Sequence, residues 1–231
     1  INESVKFSIV VPVYNEEEKI NNLLNEIINS IKTITNYEII VVNDGSEDET
    51  KNKLIKFNLY KIKIINHEKN LGQSAAIYSG IKNASYDNII TIDGDLQNDP
   101  NDIDKMVKLF KINNYKGLVS GIRRKRKDSL IKRYSSKLAN SIRNLILKDG
   151  CEDTGCSLKI FEKKYFLKYK FFDGMHRFIP FLFTQSSCKI SYIDVNHRFR
   201  EAGVSKYGTL DRLIKGIIDI IKVKYYLKKN D

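Results

Sequence analysis

The chain opens on a β-branched apolar run, Lys6 to Val13, and then changes period: Ile20, Leu23, Leu24, Ile27, Ile28 and Ile31 recur at helical spacing. A strand feeding an amphipathic helix is the expected unit. Glu38 to Val42 reads as a second buried strand, and Ser46 with Glu49 has the form of a capping box opening a helix. Lys61 to Asn66 reads as a third strand, Gln73 to Asn83 as a helix, and Asn88 to Asp93 as a fourth strand. A further helix follows Pro100, a residue suited to a first helical turn, and Gly117 to Gly121 is a strand. Strands that alternate with helices of this length predict βαβ units and a mostly parallel sheet covered on both faces.

Beyond residue 120 the pattern is less regular. Ile131, Tyr134, Leu138, Ile142 and Leu145 predict a long helix over Ser129 to Leu147, short segments come next, and Lys189 to Val195 reads as a late strand. Leu210, Leu213, Ile214, Ile217, Ile218 and Ile221 mark a last amphipathic helix that ends in the aromatic and basic stretch Lys222 to Lys229. Such a helix either docks on the core or lies in a membrane interface. The expected division is a catalytic domain over 1–205 and this helix over 206–231.

Length and charge narrow the classes. A chain of 231 residues can bury a substantial core, and 40 Lys plus Arg against 28 Asp plus Glu leaves a net charge of +12. That excess calls for an anionic partner: phosphorylated substrate, acidic lipid or nucleic acid. No recognised nucleic-acid-binding module is visible, so no nucleic-acid partner is expected. The 3 cysteines, Cys151, Cys156 and Cys188, lack the repeated spacing of a zinc site and read as reduced thiols. No stretch reaches the roughly 20 apolar residues of a membrane span, and no basic start followed by an apolar block marks a secretion signal.

In open parallel sheets, ligands sit beyond the carboxyl ends of the strands. Polar clusters fall at three such ends: Pro12, Tyr14, Asn15 and Glu16; Asn43, Asp44, Gly45 and Ser46; Asp93, Gly94, Asp95, Leu96 and Gln97. In the third, two carboxylates flank a glycine, and with the Gln97 oxygen they suit a hard divalent cation, Mg²⁺ or Mn²⁺, that leaves positions open for phosphate oxygens. A calcium EF-hand loop is excluded, because Asn98 stands at its sixth position and Asp104 at its twelfth. The phosphate loops of P-loop and dinucleotide enzymes are absent.

Taken in order, SIVVPVYNEEE, VVNDGSEDET, NLGQSAA and TIDGDLQNDP resemble the glycosyltransferase family 2 domain, and DTGCSLKIF, HRFIPFL and NHRFREAGVSKYG resemble its polyprenyl-phosphate branch, typified by dolichol-phosphate mannose synthase. The resemblance implies a GT-A fold, a Rossmann-like α/β sandwich, that binds a GDP- or UDP-sugar and transfers a hexosyl group. Pro12, Tyr14, Glu16 and Asp44 would contact base and ribose. Asn70 and Gly72 would support the donor pocket, and Asp93, Asp95 and Gln97 would hold the metal on the pyrophosphate, with Gly94 in the turn between them. In this family the basic loop after the fifth strand receives a lipid phosphate, and Arg123, Arg133 and Ser136, or the adjacent Ser135, match it. That loop carries 7 cations within 11 residues, Arg123 to Arg133.

Arg198, Arg200 and Lys206 match a second phosphate-binding segment of the family. Asp153 stands where hydroxyl-using relatives of the fold keep a general base, and is here assigned to positioning. A phosphomonoester acceptor is already largely dianionic near neutrality and needs little such help. The implied reaction is an inverting transfer to a polyprenyl phosphate, catalysed by Asp95, Arg123 and Asp153. The expected location is peripheral, on the cytoplasmic face of the membrane, with basic loops, the last helix or a separate anchoring protein supplying attachment. The competing reading is a family 2 enzyme that acts on a saccharide or protein hydroxyl.

Overall fold

The computed structural model describes residues 5–31, 34–57, 61–124, 141, 143–198, 216 and 218–225. Their centre is a seven-stranded sheet of order β3-β2-β1-β4-β6-β5-β7. The strands are β1 (Lys6–Val13), β2 (Asn36–Asn43), β3 (Ile62–Asn66), β4 (Asn88–Thr91), β5 (Leu118–Ile122), β6 (Lys159–Glu162) and β7 (Ile190–Asp194). All neighbours are parallel except β6, which runs antiparallel to both β4 and β5. This is the α/β sandwich with a mostly parallel sheet that the periodicity predicts. The antiparallel strand has a consequence: its first residue, Lys159, pairs with Thr91 at the carboxyl end of β4 and so lies on the ligand edge of the sheet.

The inner strands β1, β2 and β5 are largely buried on both faces, which is why they read as continuous apolar runs, whereas the edge strands β3 and β7 are only partly buried. On one face α1 (Ile20–Ser30) inserts Ile20, Leu23, Leu24 and Ile27, and α4 (Asp102–Ile112) inserts Ile103, Met106 and Phe110, against Phe7, Ile9, Val11, Ile39 and Val41. On the other, α3 (Gln73–Lys82) places Ala76, Ile77 and Ile81 against Val10, Ile40 and Val42. The short helices α5 (Lys163–Leu167) and α6 (Ile179–Gln185) close the same core with Phe166, Leu182 and Phe183. A 3₁₀ turn, Met175–Phe178, leads into α6.

Two expectations change, and a third falls largely outside the described residues. The Ser46/Glu49 capping box does not form: α2 (Thr50–Ile55) begins later, without a side-chain cap. Ser46 Oγ instead accepts from the Asn15 amide at 3.0 Å, because the loops after β1 and β2 are tied to each other. The long helix expected over Ser129 to Leu147 is described only at 141 and 143–147, where it is helical.

The last helix is turned relative to its expected stripe. Over 218–225 it buries Ile220 and Val223 in the α3/α6 core, and leaves Ile218 (44% exposed) and Ile221 (58% exposed) outward. It is thus apolar on two sides, one docked on the protein and one facing outward. Among the described residues, no helix is long and apolar enough to cross a membrane.

Candidate active site

Strand order reverses between β1 and β4, so the crevice above their carboxyl ends is the topological switch point where such sheets bind ligands. Three loops meet there. After β1, Asn15 Oδ1 accepts from the Glu47 amide at 2.9 Å, and the Glu16 amide donates to Thr50 Oγ1 at 2.9 Å, so the Tyr14–Glu16 loop is held by the loop after β2. Pro12 is buried as the penultimate residue of β1, opposite Val42. Tyr14 is half-buried, and Glu16 pairs with Lys19 at 3.3 Å.

Asp44 is buried and acts on the chain itself. Its carboxylate accepts from the Gly72 amide at 2.8 Å, from the Leu71 amide at 3.0 Å and from His67 Nδ1 at 2.7 Å. It therefore fixes the segment that enters α3, a shaping role beside the contact to base and ribose expected of it. Gly45, at φ +70°, lets this loop lie on the Lys69–Asn70 backbone, where a Cβ would come within 2.3 Å of Lys69. Asn70 is exposed above the same loop, and Gly72, at φ +93°, ends it by opening α3.

The turn after β4 carries the two carboxylates. Asp93 Oδ1 accepts from Gln73 Nε2 at 2.7 Å, and Asp95 Oδ1 accepts from the Gln97 amide at 3.1 Å, closing a local turn with Leu96 at φ +63°. Gly94 is required there by contact, since a Cβ would sit 2.6 Å from the Pro12 carbonyl oxygen. Burial, with the Asp95 charge added to it, pushes the Asp93 carboxyl up to about 6. Two crowded carboxylates, one of them held up in spite of the Lys159 and Arg123 charges, suit a hard divalent ion, whose charge would relieve both effects. Among the described residues no three His, Cys, Asp or Glu side chains converge to hold a metal, so an ion here would be completed by ligand oxygens. The residues present fit Mg²⁺ or Mn²⁺.

Asp93 borders a cleft of about 1090 Å³ between the start of α3, the 154–159 segment and the 3₁₀ turn. Asn70 and Gly72 line it, and so do Lys159, His176 and Arg177, for which the sequence gives no advance role. His176 Nδ1 is 2.6 Å from Ser74 Oγ, and burial together with the Arg177 and Lys159 charges pushes its pKa down to about 3, so the ring is neutral.

Arg123 and Asp153 are brought together. The guanidinium is two-pronged on the carboxylate, Nε to Oδ2 and Nη2 to Oδ1 both at 2.8 Å, and the Arg123 amide adds a third bond at 3.1 Å. Burial opposes the Arg123 charge, but the Asp153 carboxylate outweighs it and raises the guanidinium pKa. Arg198 is also paired within the chain: its guanidinium is bound between Glu26 (2.7 Å) and Asp99 (2.9 Å), which fastens residue 198 to α1 and the Asp99 turn. Arg133, Ser136, Arg200 and Lys206 lie outside the described residues.

Comparisons with known proteins agree with this geometry. The chain is 36% identical over 233 residues to a dodecaprenyl-phosphate galacturonate synthase of Rhizobium johnstonii, covering 98% of this chain and 68% of that one. It is 35% identical over 220 residues to an undecaprenyl-phosphate 4-deoxy-4-formamido-L-arabinose transferase of Photorhabdus laumondii, covering 94% and 67%. The chain thus spans about two thirds of the length of these relatives.

Among solved structures, glucosyl-3-phosphoglycerate synthase of Mycobacterium tuberculosis in complex with Mn²⁺, uridine diphosphate and glucosyl-3-phosphoglycerate superposes with a TM-score of 0.72. The identity is 17%, over 94% of this chain and 80% of that one, a likeness of fold that places the sheet among GT-A glycosyltransferases. The family model for glycosyl transferase family 2 matches residues 8–170, more than half of the sequence, with both carboxylates of the β4 turn inside the match, and the chain belongs to that family.

Proposed function

We propose that this chain transfers a sugar from a nucleoside diphosphate donor, UDP- or GDP-linked, to a polyprenyl phosphate at a membrane surface. The observation that carries the reading is the Asp93–Asp95 pair at the switch point, with Asp93 bordering a cleft of nucleotide-sugar size. The two relatives, each named for a polyprenyl-phosphate product or acceptor, support the choice of acceptor.

In this reading the nucleotide lies over the loops after β1 and β2, along Pro12, Tyr14 and Glu16, on the floor that Asp44 fixes, with Asn70 and Gly72 at its edge. Asp93, Asp95 and the Gln97 side-chain oxygen would hold a divalent cation, which supplies positive charge against the donor diphosphate. A phosphate oxygen of the lipid attacks the anomeric carbon from the face opposite the leaving group. The bond from that carbon to the diphosphate oxygen breaks, and its electron pair leaves with the nucleoside diphosphate, so configuration inverts. No proton need be removed from a dianionic phosphomonoester, and Asp153 accordingly serves as the anchor of Arg123. The basic segment from Arg123 onward, with Arg133, Ser136, Arg200 and Lys206, draws the lipid phosphate in.

The membrane contact is assigned to the outward side of the C-terminal helix, whose other side is docked on the catalytic core: Ile218, Ile221 and Tyr225 face outward beside Lys222 and Lys224, a mixture suited to an anionic bilayer surface. Peripheral attachment on the cytoplasmic face, alone or through an anchoring protein, completes the reading. The test is incubation with radiolabelled nucleotide sugar and a polyprenyl phosphate in vesicles. Label extracted into organic solvent supports the proposal; label confined to a water-soluble saccharide or to protein contradicts it.

A further inference from the structure

The cleft floor holds a buried cation that forms no salt bridge with any of the described residues. Lys159 is 1% exposed, and its ammonium, with three protons to donate, has one hydrogen-bond partner among those residues, the Cys156 carbonyl. A charge removed from water is ordinarily paired. Of the acids lining the cleft, Asp93 feels the Lys159 charge without forming an ion pair with it and is bonded to Gln73, and Asp173 is exposed.

Two further donors lie beside it. Ser74 Oγ accepts from the Gly174 amide at 2.9 Å and lies 2.6 Å from His176 Nδ1; when the hydroxyl donates to Nδ1, the ring proton sits on Nε2 as a donor. Arg177 spends Nη2 on Asp219 at 2.6 Å, while its buried Nε has no partner among the described residues. Lys159 and His176 line the same cleft, the Lys159 charge acts on the ring, and the ring is held neutral over the whole physiological range.

We propose that Lys159, His176 and Arg177 form a receptor for a carboxylate carried by the transferred sugar, so that the donor is a nucleoside diphosphate sugar acid. This rests on the glycosyltransferase reading above and deepens it. A carboxylate offers acceptors alone, which is what three converging donors lack. Its depth separates it from the lipid phosphate: the basic run begins at the rim, where Arg124 is 59% exposed, whereas Lys159 is sealed beneath Asp93 and is reached by what the nucleotide carries in.

The experiment is calorimetric binding to the intact chain, with Mn²⁺, of UDP-glucuronate against UDP-glucose and of GDP-mannuronate against GDP-mannose, with UDP and GDP alone as references. For the nucleotide that binds, the acid should bind about tenfold or more tightly than its neutral partner, because a site built around a polar group rejects the analogue lacking it. In Lys159→Gln that preference should vanish while binding of the bare nucleotide is unchanged. Should Lys159→Gln fail to fold, the wild-type comparison decides alone. Equal binding of acid and neutral sugar overturns the inference and leaves the glycosyltransferase reading intact. Binding of none of the six overturns both. If Lys159→Gln keeps the acid preference but weakens binding of a short-chain polyprenyl phosphate, the receptor belongs to the lipid and the inference is wrong.

Discussion

Arg123 and Asp153 hold each other by two parallel hydrogen bonds of 2.8 Å, both side chains about nine-tenths buried. The first residue of the basic run is thereby fastened to the segment that walls the cleft. Removing one partner strands a buried charge, which typically costs about 3–5 kcal/mol. Asp153→Ala and Arg123→Ala should each destabilise by about that much in urea unfolding, and the double variant by clearly less than their sum. Additive losses would show that the pair is not coupled.

His176 sets an acid limit on stability. Its folded pKa of about 3 lies below the unfolded value near 6.5. Above 6.5 both states are neutral and the group contributes no pH dependence. As pH falls below 6.5 the unfolded chain takes up a proton that the folded chain refuses, so stability drops by up to about 1.4 kcal/mol per unit until pH 3. His176→Gln should flatten this part of the unfolding profile; an unchanged slope would assign the acid sensitivity elsewhere.

Gly94→Ala tests the contact between the β4 turn and β1. The new methyl would meet the Pro12 carbonyl at 2.6 Å and the Val13 side chain at 2.8 Å, so one of the two loops has to move. A loss of about 1–3 kcal/mol in thermal unfolding is expected, together with weaker nucleotide binding. Unaltered binding would mean that the two loops need not touch.

The outward side of the last helix can be probed without touching the fold. Ile218→Glu and Ile221→Glu, both at exposed positions, should change stability by no more than about 0.5 kcal/mol. They should also sharply reduce co-sedimentation with vesicles rich in anionic lipid. Retained vesicle binding would remove this helix from the membrane contact.

Much of this was legible in the sequence because of where burial falls. The inner parallel strands are largely covered on both faces, so the apolar–polar alternation of a half-exposed strand gives way to runs such as Ile39 to Val42, and the three polar clusters stand out at their ends. Strand β6 was not legible: its four residues are too few to show a period, and its antiparallel direction is set by β4 and β5. The signal that would have found Lys159 is a charged residue between Leu158 and Ile160 in an apolar stretch, since lysine is almost never fully buried without a purpose. The orientation of the last helix escaped for a different reason. It is apolar on more than one side, so its sequence does not say whether Ile218 and Ile221 or Ile220 and Val223 turn inward. Asp44 and Arg198 were identified by motif, but a motif does not disclose that their charges are already engaged within the chain.

The account stands on Asp93 and Asp95 holding a divalent cation against a donor diphosphate. The most direct measurement is Mn²⁺ binding followed by loss of the free-ion paramagnetic resonance signal, with UDP or GDP present. The wild-type chain should take up Mn²⁺ in a nucleotide-dependent manner, and Asp95→Ala, though folded, should not. Equal uptake by the variant, or none by the wild type with either nucleotide, would contradict the account.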